Sequence, residues 1–486
     1  MPSSPGITIL GLGPGNPNHL TRQAWDILSN ANEIFLRTSQ HPVVSAFPPS
    51  LEVHSFDDLY ESEQNVEEVY RQIVARILEL GERPRGVIYA VPGNPFVAET
   101  TAPEIARRAK EEGIPVRVIQ GLSFVEPMLA ALGIDMLPQT AIVDALDLVS
   151  QHHPQFPPHA PALIAQVHSQ MVAGELKITL MAQYLDEHPV RLVHAAGTTD
   201  ELVEDLPLHE IDRSTHTAAL TALYVPALGD HTSFEEFQEL IAHLRAPEGC
   251  PWDREQTHQS LRRNLIEEAY EVVDAIDASD PKAMQEEFGD LLAQIVLHAQ
   301  IATEYDEFRM SGVIHGITTK LISRHPHVFG DLELKDADTV IANWEHLKAG
   351  ERKAKGEDRG ILDGVAGSLP ALSQAETYTA RAARVGFEWP NIEGVLGDVA
   401  EEIEELKAAE SADEKQAEYG DILFALVNLA RWLKIDPEAA LRAANARFKR
   451  RFAYVEDSAR QQGRALKDMT LEEMDKLWDD GKAALG

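Results

Sequence analysis

Two stretches of this chain repeat one arrangement of carboxylates. The first runs Glu267-Glu268-Ala269-Tyr270-Glu271 and continues to Glu287-Phe288-Gly289-Asp290. The second runs Glu401-Glu402-Ile403-Glu404-Glu405 and continues to Glu418-Tyr419-Gly420-Asp421. Both read E-E-x-x-E, a gap, then E-x-x-D, with 16 positions from Glu271 to Glu287 and 13 from Glu405 to Glu418. On a helix, residues three apart share a face, so Glu268 pairs with Glu271 and Glu287 with Asp290. Two antiparallel helices joined by a short turn bring the pairs together. Four carboxylates within a few ångströms repel one another unless a cation neutralises them. Oxygen-only ligands select a hard ion, Mg²⁺ or Mn²⁺, over zinc. A lone EExxE is common on solvated helix faces. Here it recurs, and each E-x-x-D leads into an apolar run, Leu291–Leu297 and Ile422–Leu429, which places the acids at the mouth of a buried helix.

A basic cluster follows each acidic set. In the first copy it is Lys320, Arg324, His325 and His327; in the second it is Asn445, Arg447, Lys449, Arg450 and Arg451. Metal-bridging carboxylates followed by phosphate-directed cations suit a substrate with consecutive phosphates. The second copy has the denser cluster, so it is expected to carry more of the turnover. The His325-Pro326-His327 pair has no third nitrogen or sulfur ligand nearby and reads as packing or phosphate contact.

These residues need elements to hold them. Residues 1–225 alternate strand and helix signals. A β-branched run at Ile7–Leu10 ends in Gly11-Leu12-Gly13-Pro14-Gly15, and Thr21 is an N-cap for a helix to Asn30. Gly86–Val91 is closed by Pro92-Gly93-Asn94-Pro95; helix 99–112 leads to a strand at Pro115–Ile119 and to Gly121-Leu122-Ser123. This repetition predicts an α/β domain with a largely parallel sheet. The Pro/His/Gln segment 151–161 reads as a hinge between two lobes, with Leu163–Gln166, Arg191–His194 and Ala218–Val225 as strands of the second. From about residue 232, long helical patterns replace strand signals. The charged stretch 349–368 reads as a linker between two helical domains, 232–348 and 369–486.

Charge narrows the function. The 486 residues carry 43 Lys and Arg against 79 Asp and Glu, a net charge of −36. The deficit runs throughout: 13 basic against 28 acidic side chains in residues 1–225, and 30 against 51 in the rest. With no basic domain, duplex nucleic acid is excluded as a partner. An acidic protein that handles a polyanion needs a divalent metal between them. The single cysteine, Cys250, fits a reducing cytosol, and the first residues lack the basic region of a signal peptide. The longest uncharged stretch, Leu148 to Gly174, is broken by four prolines and cannot span a membrane. A soluble, cytoplasmic protein is expected.

From residue 232 onward the chain resembles the MazG family of nucleoside triphosphate pyrophosphohydrolases in two-copy form. The resemblance rests on LRAPEGCPWDREQTHQSL, EEAYEVVDAI, EEFGDLL, RHPHVFGD, SLPALSQAE, VGFEW, EYGDILFALVNLAR and NARFKRRF. It implies an all-α fold that hydrolyses NTPs to NMP and pyrophosphate. It also implies Mg²⁺ on Glu268, Glu271, Glu287 and Asp290 and on Glu402, Glu405, Glu418 and Asp421. Glu267 or Glu401 is then a general base or a support for the ligands, and Arg324, Arg447, Lys449, Arg450 and Arg451 face the phosphates. Arg447 stands where the family's K-F-x-R-R-F has lysine.

Residues 1–225 resemble the tetrapyrrole (corrin/porphyrin) methylases through GLGPGNPNHLT, VPGNPF, GLSFVEPMLAALGI and HAAGTTDELVEDLPL. The combination resembles YabN-type fusions. This implies a two-lobed α/β fold that binds S-adenosylmethionine at Gly11, Gly13, Pro14, Gly15, Gly93, Asn94, Pro95 and Ser123, where the family loop often has Asp at position 94. The whole reads as a multidomain protein, an α/β methylase-like domain followed by two all-α domains. The leading function is NTP pyrophosphohydrolase, in a homodimer or higher homo-oligomer. The alternatives are methyl transfer to a tetrapyrrole, or a regulatory or oligomerisation role for the first domain.

Overall fold

The computed structural model describes residues 6–62, 65–334, 336, 339, 340, 343, 344, 347, 350 and 360–485. The first sheet is built from β1 (Ile7–Gly11), β2 (Glu33–Leu36), β3 (Glu52–Ser55), β4 (Val87–Val91) and β5 (Val116–Ile119). Its order is β3-β2-β4-β1-β5 and every pair is parallel, with Ile9 of β1 level with Tyr89 and Val118. Helices α1 (Arg22–Asn30), α2 (Asp57–Ser62), α3 (Val66–Gly81) and α4 (Thr101–Glu112) cover it. The Thr21 hydroxyl accepts from Ala24 N–H at 3.2 Å and starts α1. Alternation along β1 feeds two cores. Ile7 and Ile9 pack with Val69, Ile73 and Ile105, and Leu10 packs with Ala24, Leu28 and Ile34.

The second sheet joins β6 (Ala141–Asp144), β7 (Ala162–Ala165), β8 (Pro189–His194), β9 (Leu202–Pro207) and β10 (Thr221–Val225) in the order β6-β7-β10-β8-β9. Only β6 and β7 run parallel; the other pairs are antiparallel. The parallel expectation therefore holds for the first lobe and is corrected for the second. The hinge is corrected too. Segment 151–161 connects the parallel neighbours β6 and β7 inside the second lobe. The lobes change over earlier, after β5, because α5 (Val125–Leu132) packs Val125, Met128 and Leu132 against Leu163, Val193 and Ala222 of the second sheet. Helices α6 (Ala145–Leu148) and α7 (Gln170–Leu180) line its other face, where Val172, Leu176 and Leu180 meet Ile164, Leu192 and Leu223.

Among the described residues all further elements are helical: α8 (Phe234–Arg245), α9 (Pro251–Glu255), α10 (Arg262–Asp277), α11 (Pro281–Glu304), α12 (Met310–Arg324), α13 (Pro326–Phe329), α14 (Ala371–Arg384), α15 (Ile392–Ala408), α16 (Ala412–Trp432), α17 (Pro437–Gln461) and α18 (Leu471–Leu485). The chain divides into two compact units, Met1–Val313 and Ile314–Gly486. Of the expected linker, residues 349 and 351–359 lie outside the described ones, and turns occupy 361–364 and 367–368. Among the described residues no helix is long and apolar enough to cross a membrane.

Candidate functional site

The carboxylates of the first unit sit on a helical hairpin. Asp280 accepts from Lys282 and Ala283 N–H, and Pro281 opens α11, so the chain reverses within three residues of the end of α10. The reversal lays Glu287 and Asp290 against Glu268. Ligand oxygens of the three lie within 4.8 Å of one another. Glu271 crowds Glu268 from the next turn, and burial, then Asp290 and Glu271, hold the Glu268 carboxyl above its ordinary range. Burial, then Glu271 and Glu286, do the same to Glu287.

The second unit repeats the construction. A capping box between Ser411 and Glu414 starts α16 three residues beyond α15. Glu402, Glu418 and Asp421 offer oxygens within 4.8 Å of one another. Burial, then Asp421 and Glu405, raise Glu402, and burial, then Glu405 and Asp421, raise Glu418. Among the described residues, no Lys, Arg or His forms an ion pair with any of these eight acids. The donor set is all oxygen, crowded and lacking a protein counterion, which fits a hard divalent cation.

One acid escapes the motif. Asp398 lies one turn before Glu402 on the same face of α15; it adds to the potential that raises Glu402, and is itself raised by burial and Glu401. The first copy has Asn264 at that spacing. Reading four residues back from each second Glu would have found it.

The other expected residues divide. Glu267 and Glu401 are exposed, each one position from the clustered face. Arg447, Lys449 and Arg450 are exposed on α17 without an ion pair among the described residues, and Arg451 is half-buried. Arg324 ends α12 in the second unit. The Leu321 carbonyl lies 2.6 Å from Nδ1 of His325. A cleft of about 380 Å³ is lined by Gln259, Arg262, Arg263 and Ile266. At about 100° per residue, Arg262 and Ile266 point away from Glu268, so this cleft opens on the back of α10 rather than on the acids.

In the first lobe three loops converge at the carboxyl ends of β1, β4 and β5. Gly13 and Gly93 pair backbone to backbone, N–H to O at 3.1 and 2.8 Å, both with left-handed φ (+73° and +68°). A Cβ on Gly11 would stand 2.5 Å from Gly121 N and 2.7 Å from the Gly93 oxygen. Pro14 and Gly15 are buried behind them. Asn94 donates from Nδ2 to the Gly121 carbonyl (2.9 Å) and accepts from Phe96 N–H (2.9 Å), a double role that an aspartate could not fill. The Ser123 hydroxyl donates to Glu126 (2.5 Å) and accepts from Val125 N–H (3.0 Å). The connections from β1 and β4 leave toward opposite edges of the sheet, so these loops mark its switch point, where open parallel sheets bind ligands. Asn16 reaches across the lobes and donates to the Gly197 carbonyl at 2.8 Å.

Comparison with known proteins follows the same division. The tetrapyrrole (corrin/porphyrin) methylase family matches residues 6–212, and the MazG nucleotide pyrophosphohydrolase domain matches residues 256–329. A Bacillus subtilis protein described as uncharacterized protein YabN is 41% identical over 490 residues, covering 98% of each chain. The nucleoside triphosphate pyrophosphohydrolase/pyrophosphatase MazG of Thermotoga maritima is 43% identical over 249 residues, 51% of this chain and 95% of that one. The nucleoside triphosphate pyrophosphohydrolase of Escherichia coli (strain K12) is 41% identical over 249 residues, 50% and 94% of the two chains. A uroporphyrin-III-C-methyltransferase structure from Thermus thermophilus aligns with 46% of this chain and 92% of its own, at 23% identity and a TM-score of 0.35. With its helical half matched along nearly the full length of MazG proteins and its whole length matched by YabN, the chain belongs to the MazG family in the form fused behind a tetrapyrrole-methylase-like domain.

Proposed function

We propose that the helical half hydrolyses nucleoside triphosphates to monophosphate and pyrophosphate. The observation that carries this reading is the twice-built cluster of carboxylates, which has no protein counterion among the described residues. Glu268, Glu271, Glu287 and Asp290, and Glu402, Glu405, Glu418 and Asp421, would hold Mg²⁺ or Mn²⁺. The bound ion supplies the positive charge that lets a polyphosphate approach an acidic site. Arg447, Lys449, Arg450 and Arg451, and likewise Arg324, would take the charge that develops on a departing pyrophosphate. Glu267 and Glu401, outside the converging oxygens, would accept the proton of the water that attacks the α-phosphorus. Incubation with each NTP and Mg²⁺ tests this: NMP and pyrophosphate are expected, and NDP with orthophosphate as main products would reject it.

We also propose that the converging loops of the first lobe bind S-adenosylmethionine, supported by backbone that only glycine can bring so close. Methyl transfer to a tetrapyrrole is the second reading of that domain, and a regulatory or oligomerisation role the third. The division into residues 1–225, 232–348 and 369–486 with a linker at 349–368 is proposed on the change from strands to repeated hairpins. A homodimer or higher homo-oligomer is proposed because the hairpins expose Ile266, Tyr270, Phe288, Leu396, Tyr419 and Phe424.

A further inference from the structure

Neither reading uses the polar groups gathered at the carboxyl edge of β2 and β4. Arg37 follows β2, and its backbone N–H donates to the Ala90 carbonyl in β4 (3.0 Å). Its Nη1 donates to Glu99 Oε2 (2.5 Å), and the Glu99 side chain is 1% exposed. Glu99 is committed on its other side as well. Oε1 accepts from the Thr101 backbone N–H (3.0 Å) and from the Thr101 hydroxyl (2.5 Å), whose oxygen lies 2.7 Å from the Tyr89 hydroxyl. The carboxylate is thus locked in place.

The guanidinium is not saturated. Of its five N–H donors, one has a partner among the described residues, and Nε is closed to solvent without any. His41, 5% exposed, lies within electrostatic reach of Arg37 and is held against the Gly13 backbone. Burial, with Arg37 adding to it against the pull of the Gly13 backbone, pushes the His41 imidazole down to about 4, so it stays neutral. Tyr60 and Tyr70 lie within electrostatic reach of Arg37. With Nη1 taken, Nε and Nη2 form the parallel edge of the guanidinium, the one that grips both oxygens of a carboxylate or phosphate. Buried donors without acceptors are rare in proteins, and Nε of Arg37 needs an explanation. The Arg37 side chain is 22% exposed while its Nε is closed to solvent, so an outside group reaches the guanidinium at its open part and must uncover Nε to grip both nitrogens.

We propose that Arg37 anchors an oxyanion site at the carboxyl edge of the first sheet, taking the carboxylate or phosphate group of a small ligand on its Nε–Nη2 edge. Glu99, Thr101 and Tyr89 orient the guanidinium, and neutral His41 nearby adds no competing charge. The site is separate from the helical carboxylates, and it lies across β4 from the loop that follows β1.

The test is calorimetric titration of the full chain with sodium malonate and, separately, with inorganic phosphate, against sodium chloride. Mass spectrometry of phenylglyoxal modification at Arg37, with and without each anion, localises the event. Arg37→Lys keeps the charge but loses the parallel edge. The double variant Arg37→Met with Glu99→Gln removes both charges, so no buried acid is left alone to unfold the lobe. At least one anion should bind wild type in one saturable event. That event should be about tenfold weaker or worse in Arg37→Lys, absent in the double variant, and should slow modification of Arg37 several-fold. Malonate alone marks a carboxylate ligand and phosphate alone a phosphate. If neither anion binds, if the double variant binds as wild type does, or if modification of Arg37 is unchanged, water alone fills the edge and the proposal falls.

Discussion

Replacing one carboxylate by its amide leaves side-chain volume almost unchanged and removes one charged ligand, so activity isolates the electrostatic role of each acid. Glu402→Gln or Asp421→Asn is expected to cut pyrophosphate release at least about tenfold, since a hard cation loses part of its charge compensation. Glu268→Gln or Asp290→Asn should cost less, because the second copy has Arg447, Lys449, Arg450 and Arg451 in one run. Steady-state kinetics on the four variants, with circular dichroism to confirm folding, decide the ranking; dead Glu268 and Asp290 variants beside active Glu402 and Asp421 variants would invert it. His41 gives a prediction in pH. Its folded value is about 4, below the ordinary 6.5, so between those values the unfolded chain binds more protons. Stability is therefore full above pH 6.5 and declines as pH falls toward 4. From pH 7.5 to pH 5 the loss from this group is about 2 kcal/mol, and His41→Gln should flatten that part of the denaturation profile. An equal slope in both proteins would place the titration elsewhere.

At the scale of elements, the three loops of the first lobe depend on backbone packed without room for a methyl group. Gly11→Ala puts a Cβ 2.5 Å from Gly121 N and 2.7 Å from the Gly93 oxygen, both rigid. The variant should lose S-adenosylmethionine binding in calorimetry and melt several degrees lower; unchanged binding would remove the loops from the ligand site. These loops and the acidic hairpins were legible in the sequence because each is local: a strand that ends in glycines, or acids at helical spacing followed by an apolar run. What was not legible depended on distant pairing. The prolines of 151–161 announce a loop but not which strands flank it, so a connection between parallel neighbours read as a hinge. Strand β9, an edge with Glu204 and Asp205 in its middle, carries too little apolar alternation to announce itself. Arg37 and Glu99 stand 62 positions apart, and nothing near either one names the other.

For the molecule as a whole, a divalent metal held by the crowded acids in both compact units would make stability depend on that metal. Ligands that bind only the folded state add about 2.7 kcal/mol at a hundred times their Kd. Mg²⁺ should therefore raise the melting temperature and EDTA should lower it. The combined Asp290→Asn, Asp421→Asn variant should melt alike in both; an undiminished Mg²⁺ shift in that variant would place the ion outside the two clusters. The bond from Asn16 to Gly197 has a mechanical consequence. The β1 loop is tied at 2.8 Å to a segment of the other lobe, and Gly15 faces Thr198 and Leu220 there, so the loop acts as a lever with its load arm in the second lobe. Occupancy at the glycine loops should be transmitted as slower amide hydrogen exchange at residues 195–201, a stretch about 180 positions beyond Asn16. Asn16→Ala cuts the lever at its fulcrum: a ligand would still protect the loop after β1, while exchange at 195–201 would no longer respond.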